Sequence, residues 1–294
     1  CTVNQNYSDD LQNEVVVLAA NAEVLVGENR FSFALFEQDG QTIDNAIVSV
    51  QFVKATPNTP LTPEANSETL RVKAEFRQIK GVTPHIHPNG SLHLHDEIHG
   101  FYVLNKTTFD VSGIWQAQLE ITDSESLSTR NGALAFEVLE NSRTLMPGER
   151  GIPSINLTSS DVENISEITT HSPPLASLYA LTVSEALERQ KPLVLAFSTP
   201  SFCLSRTCGP VTDVVAQTAR NYTQYVDFIH IEPWNLDLAR QEGLLHLSET
   251  AKEWRLPSEP WVFVIDSDGF VSTRFDGVFN SAELVEALEP MLNQ

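Results

Sequence analysis

Basic residues are scarce in this chain: 18 Lys and Arg stand against 39 Asp and Glu, a formal net charge of -21 at pH 7. A surface this anionic repels the phosphate backbone of nucleic acids and anionic lipid headgroups alike. Nucleic acid is therefore not an expected partner. Long apolar runs are also missing. No stretch of eighteen or more apolar residues occurs, so no segment reads as a membrane-spanning helix. Helical periodicity is absent from the whole first half. What remains is a chain of 294 residues, 41% apolar, longer than the ~100 to 200 residues usual for one domain, which implies two cores.

Residues 14–140 read as short strands. The stretches "RFSFALFEQDG", "AIVSVQFVKA", "TLRVKAEFRQI", "GFYVLNKTTFD", "GIWQAQLEIT" and "ALAFEVLE" are rich in Val, Ile, Phe and Tyr. They alternate at period two and are separated by Gly, Asn, Asp and Pro clusters. The expected architecture is an all-β antiparallel sandwich, immunoglobulin-like in the broad sense, with Trp115 in its core. Residues 141–175 are dense in Ser, Thr, Asn and Pro and are expected to form a linker over the surface.

Residues 176–294 follow a different pattern. Thr182 with Glu185 makes a capping box for a short helix, and Pro192 opens a buried strand, "LVLAFST". A loop with two cysteines follows, "PSFCLSRTCGPV", and Pro210 then sits in a first helical turn with Val211, Val214, Val215 and Thr218 on one face. Strands "VDFIHIE", "WVFVID" and "FVSTRFD" and a last helix from Ser281 complete the order βαβ then ββα.

The cysteine spacing carries a geometric consequence. Residues five apart on a helix have Cα atoms about 8 to 9 Å apart, and a disulfide needs less than ~7 Å. Cys203 and Cys208 therefore cannot be both helical and bridged, and 204–207 must loop, leaving Cys208 at or near the helix start. A thiol there, with Arg206 beside it, is stabilised as thiolate, which favours Cys208 as the reactive sulfur.

The run "LVLAFSTPSFC...CGP", followed by "LPSEPWVFVIDSDGFVSTRFDG" and a closing helix, resembles the thioredoxin-like superfamily over most of 176–294. The resemblance implies an α/β thioredoxin-like fold. It also implies that Cys203 is the attacking cysteine and that Pro260 is a cis-proline facing the dithiol, beside which the substrate chain binds. On the attacking thiol, resemblance and local physics thus point to different residues. This sequence departs from the family in three ways: the pair is C-x4-C instead of C-x2-C, Ala196 stands where many members bury an aspartate, and Glu259 precedes the proline where Thr is common. Glu259 or Glu232 is expected to take over as proton acceptor.

A second constellation is "PHIHPNGSLHLHDEIHG", with five of the eight histidines. A three-residue turn at Pro88-Asn89-Gly90 places His85 opposite His93, with His87 and His95 on the same face. Four imidazoles so placed can converge on Cu(II) or Zn(II), or form a solvent-facing polar row. His99 ends the stretch. His230 is expected on a core strand, and His171 and His246 carry no signal.

The chain begins with Cys1 and a polar segment, 1–13, which reads as the lipid-attachment cysteine and tether of a bacterial lipoprotein. That places the protein outside the cytoplasm, anchored to the outer face of the cytoplasmic membrane, where disulfides persist. Three functions follow as expectations. The first is thiol-disulfide exchange on exported proteins through Cys203 and Cys208, with Arg206, Glu259 and Pro260 around them. The second is copper handling, because a dithiol with histidines resembles what Sco-type chaperones combine. The third is a non-catalytic subunit of a membrane complex, with Cys203–Cys208 as a structural disulfide.

Overall fold

The computed structural model describes residues 15–55, 71–79, 85–86, 92–93, 98–204 and 207–292. Cys1, His87, His95 and Arg206 lie outside these described residues. The chain divides into two units, one within Cys1–Gln78 and Glu97–Asn141, the other within Ile79–Asp96 and Ser142–Gln294.

The first unit is built from β1 (Val16–Ala19), β2 (Val24–Leu25), β3 (Gly27–Phe36), β4 (Ile47–Lys54), β5 (Val72–Gln78), β8 (Gly100–Phe109), β9 (Gly113–Thr122) and β10 (Thr129–Leu139). Two short strands, β6 (His85–Ile86) and β7 (Leu92–His93), pair separately. The alternating stretches become strands because their period of two puts the large apolar residues on one face. Phe31, Phe33 and Leu35 of β3 join Tyr102 and Leu104 of β8, Val48 and Val50 of β4, and Ala117, Leu119 and Ile121 of β9 in one core. Inside it, Phe31 and Phe52 meet edge to face at 5.0 Å, as do Phe52 and Phe109 at 5.1 Å, the arrangement that aromatic quadrupoles favour. Trp115 packs half-buried against this core, its ring 5.2 Å from that of Phe109.

The expected two-sheet immunoglobulin-like sandwich is corrected here. All eight strands form one hydrogen-bonded sheet in the order β1-β3-β8-β5-β4-β9-β10-β2. The sheet is mixed, since β2 pairs parallel to β10. Strand β5 pairs with both β8 and β4, so the two halves that would have stacked are joined through it. The sheet instead curls until β1 meets β10: a Cβ added at Gly132 would come within 2.8 Å of Val17 Cγ2. A glycine at this position is what permits the close approach.

The second unit has α1 (Val183–Glu188), β11 (Leu193–Phe197), α2 (Cys208–Tyr222), β12 (Asp227–Ile231), α3 (Leu236–Glu242), α4 (Glu249–Glu253), β13 (Trp261–Ile265), β14 (Val271–Asp276) and α5 (Ser281–Leu292). Its four-stranded sheet runs β12-β11-β13-β14, with only β11 and β12 parallel. Helix α1 begins with the capping box of Thr182 and Glu185. The expected thioredoxin-like α/β domain is corrected as well. The chain is mostly β, its second sheet has four strands, and only α2 and α5 exceed seven residues among the described helices.

The stretch 141–175 is not a loose linker. From Ser142 onward it belongs to the second unit, because its polar side chains find buried partners there. Thr144 Oγ1 donates to the Trp254 carbonyl at 2.6 Å, Trp254 Nε1 donates to Ser154 Oγ at 3.1 Å, and the Val183 amide donates to Asn156 Oδ1 at 2.8 Å.

Candidate functional site: a buried dithiol with a carboxylate

The site begins at the end of β11, whose five residues are all buried. Ser198 continues the strand edge, its amide donating to the Ile231 carbonyl at 3.2 Å. Its hydroxyl lies 2.6 Å from Thr212 Oγ1, which in turn donates to the Cys208 carbonyl at 2.8 Å. These bonds tie the strand end to the first turn of α2.

Cys203 lies outside the helix and is partly exposed, whereas Cys208 is the first residue of α2 and is fully buried. They are not joined in a disulfide. The Cys208 amide donates to Cys203 Sγ at 3.3 Å, while the N-cap residue Thr207 makes no side-chain cap. The sulfur of Cys203 thus occupies the place of a cap, at the positive end of a fifteen-residue helix, which favours negative charge on that sulfur.

Glu259 approaches from the other side, from the turn before β13. It is 5% exposed and its Oε1 accepts the Leu204 amide at 2.9 Å. Its peptide bond to Pro260 is cis, and the Pro260 carbonyl accepts the Gly277 amide at 3.0 Å. A carboxylate oxygen of Glu259 and the two sulfurs all lie within 4.8 Å of one another.

The electrostatics separate the two thiols. Burial pushes the Cys208 thiol well above its ordinary value, reinforced by the hydrogen bond and charge at Cys203 and by the charge of Glu259, against an opposing bond from the Thr199 backbone. Desolvation here outweighs the helix terminus. The local argument for Cys208 as the reactive thiol is thereby corrected: it treated the helix end as solvated. Burial also raises the Glu259 carboxyl to about 7, with Cys203 adding to the shift and the Leu204 amide opposing it.

Beneath the cysteine loop lies a polar network that the sequence did not announce. Glu232, at the end of β12, accepts the Thr170 amide at 2.6 Å and its hydroxyl at 2.7 Å, and the Thr170 hydroxyl accepts the Ser201 amide at 3.1 Å. Burial raises the Glu232 carboxyl, opposed by the hydrogen bonds from Thr170. His230 sits on β12 as expected and is buried. Its Nδ1 meets the Tyr179 hydroxyl at 2.9 Å and its Nε2 the Ser198 carbonyl at 2.9 Å. His171 pairs with Asp213 at 3.0 Å. These partners are 31 to 62 residues apart, and Thr170 and His171 come from a stretch that composition reads as a linker, so no local pattern could reveal them. A cavity of about 480 Å³ borders Tyr179, His230, Glu232 and Trp234 and is lined by neither cysteine.

In the histidine-rich stretch, β6 and β7 pair antiparallel with His85 opposite His93. His87 and His95, the other two expected metal ligands, fall outside the described residues. His99 is exposed, with Nδ1 3.5 Å from Thr42 Oγ1. Among the described residues, the one cluster of three ligand side chains close enough to share a metal ion is Cys203, Cys208 and Glu259. No family model and no curated protein matches this chain.

Proposed function

We propose that the chain carries out thiol-disulfide exchange, with Cys203 as the attacking sulfur and Cys208 as the resolving one. The observation that carries this reading is the asymmetry of the pair. One cysteine is partly exposed, with its sulfur hydrogen-bonded at a helix N-terminus, and the sulfur of the second, fully buried one lies within 4.8 Å of it. A disulfide kept only as a staple has no use for that arrangement, whereas exchange requires an accessible thiolate backed by a thiol in reach.

The electrons and protons balance in two steps. The Cys203 thiolate attacks one sulfur of a partner disulfide, forming a mixed disulfide and releasing the partner's other sulfur as a thiolate that takes up a proton. Cys208 then gives its proton to Glu259, attacks Cys203 Sγ and expels the second partner thiolate. The partner is reduced by two electrons and the Cys203–Cys208 pair is oxidised by two. The reverse sequence oxidises a dithiol.

The test is to react the reduced full chain with an aromatic disulfide and with oxidised glutathione, following thiol release. Cys203→Ser is expected to abolish the fast phase, and Cys208→Ser to stop at a stable mixed disulfide seen by mass spectrometry. A Cys203→Ser chain that reacts at the unaltered rate overturns the assignment.

A further inference from the structure

We propose that the reduced chain binds a thiophilic divalent cation of the zinc class between Cys203 Sγ, Cys208 Sγ and a carboxylate oxygen of Glu259. This goes beyond exchange and shares with that reading the reduced dithiol and Glu259.

Three donor atoms from two separate chain segments converge within 4.8 Å. Tetrahedral zinc with bonds of about 2.3 Å to sulfur and 2.0 to 2.2 Å to oxygen spaces its ligands about 3.6 to 3.8 Å apart. The donors therefore need to close by at most about 1.2 Å. The donor set is mixed. Two soft sulfurs with one hard carboxylate suit a borderline divalent ion better than Cu(I), which favours thiolates alone.

Charge decides the same way. Two thiolates and a carboxylate hold three negative charges where Cys208 is fully buried and Glu259 is 5% exposed. Water reaches the Cys208 sulfur and the Glu259 carboxylate poorly, so protons or a cation must neutralise the charge there, and a dication displaces those protons on binding. The N-terminus of α2 opposes a cation with an effective charge of about +0.5, which is small beside three anions. The Cys208 amide, by donating to Cys203 Sγ at 3.3 Å, is the kind of outer-shell contact that orients a ligating thiolate. Three protein donors leave a fourth position open on the partly exposed side, where Cys203 and the 72%-exposed Leu204 lie. There a water or an incoming ligand can complete the shell.

The test uses the reduced full chain titrated anaerobically with Co(II), then competed with Zn(II). The expected result is one equivalent bound, with a thiolate-to-cobalt charge-transfer band in the near ultraviolet and the visible absorption of a tetrahedral centre, both erased by Zn(II). Cys203→Ser and conversion to the disulfide should each remove the band. Glu259→Gln should weaken binding by at least the ~10-fold that loss of an outer-shell partner costs. Absence of the band, or affinity unaltered in Glu259→Gln, overturns the inference. So does binding that persists in full in a Cys203→Ser/Cys208→Ser chain, since that metal sits elsewhere, for instance at the hairpin histidines. Exchange is assayed in parallel on metal-free chain. Exchange without the band defeats only the metal site, and the band without exchange defeats only the exchange reading.

Discussion

Glu259 Oε1 accepts the Leu204 amide at 2.9 Å, so the carboxylate that stands beside both sulfurs also holds the residue that follows Cys203. One side chain thus anchors the loop and, under the proposed exchange, is placed to accept the proton of Cys208.

Substitution separates the two roles. Glu259→Gln retains an oxygen for the Leu204 amide but cannot take a proton, whereas Glu259→Ala removes both. In Glu259→Gln the attack of Cys203 should proceed at close to the original rate while resolution by Cys208 slows by ~100-fold, the lower range for loss of a positioned base. The lifetime of the mixed disulfide, measured by acid quench and mass spectrometry, reports this. Equal lifetimes in the original chain and Glu259→Gln would remove the base role.

His230 supplies a pH dependence of stability. Burial, with His171 adding to it and the Ser198 carbonyl opposing, lowers its pKa from 6.5 to about 3. The groups that face it are the Tyr179 and Thr169 hydroxyls, the Ser198 carbonyl and the His171 ring, with Asp213 behind His171 and Glu232 behind Thr169. Below pH 6.5 the unfolded chain takes up a proton that the folded chain refuses until about pH 3. This group's contribution is therefore lost as pH falls through that window, at about 1.4 kcal/mol per pH unit. Glu232 acts with the opposite sign, because its raised carboxyl holds a proton that the unfolded chain releases. A comparison with His230→Gln isolates the histidine. Denaturant midpoints should show the original chain more stable at pH 7.5, with the gap narrowing by about 2 kcal/mol at pH 5. A gap independent of pH would show that His230 titrates normally in the fold.

Residues 142–175 should resist limited proteolysis along with the rest of the second unit, despite their polar composition. Trp254→Phe, which removes the Nε1 donor to Ser154 Oγ, should cost about 1 to 3 kcal/mol for the buried hydroxyl left with a lost partner. It should also make cleavage near Ser154 faster. Prompt cutting of this stretch in the original chain would restore the linker reading.

The strands β3, β4, β5, β8, β9 and β10 were legible because a period of two in apolar residues reports a half-buried strand wherever it is placed. So were the capping box at Thr182 and the break in helix before Cys208, since both follow from local bonding or from a fixed rise per residue. The joining of the first unit's strands into one curled sheet was not legible. Alternation says which face of β5 is apolar, not that β5 pairs with both β8 and β4. Nor does it reveal the parallel pairing of β2 with β10. The roles of Thr169, Thr170, Tyr179 and Ser154 were hidden for a related reason, because polar side chains read as exposed until distant partners are known to bury them.

By itself, the amino-acid order determined which stretches extend and that α2 begins at or near Cys208. Only the tertiary structure decided which sulfur stands at the surface and which is sealed beneath it. The reason is desolvation: the charge a thiol can bear depends on how much water reaches it, and that is set by packing from β11, α2 and the turn before β13, not by the neighbours of Cys208 in the chain.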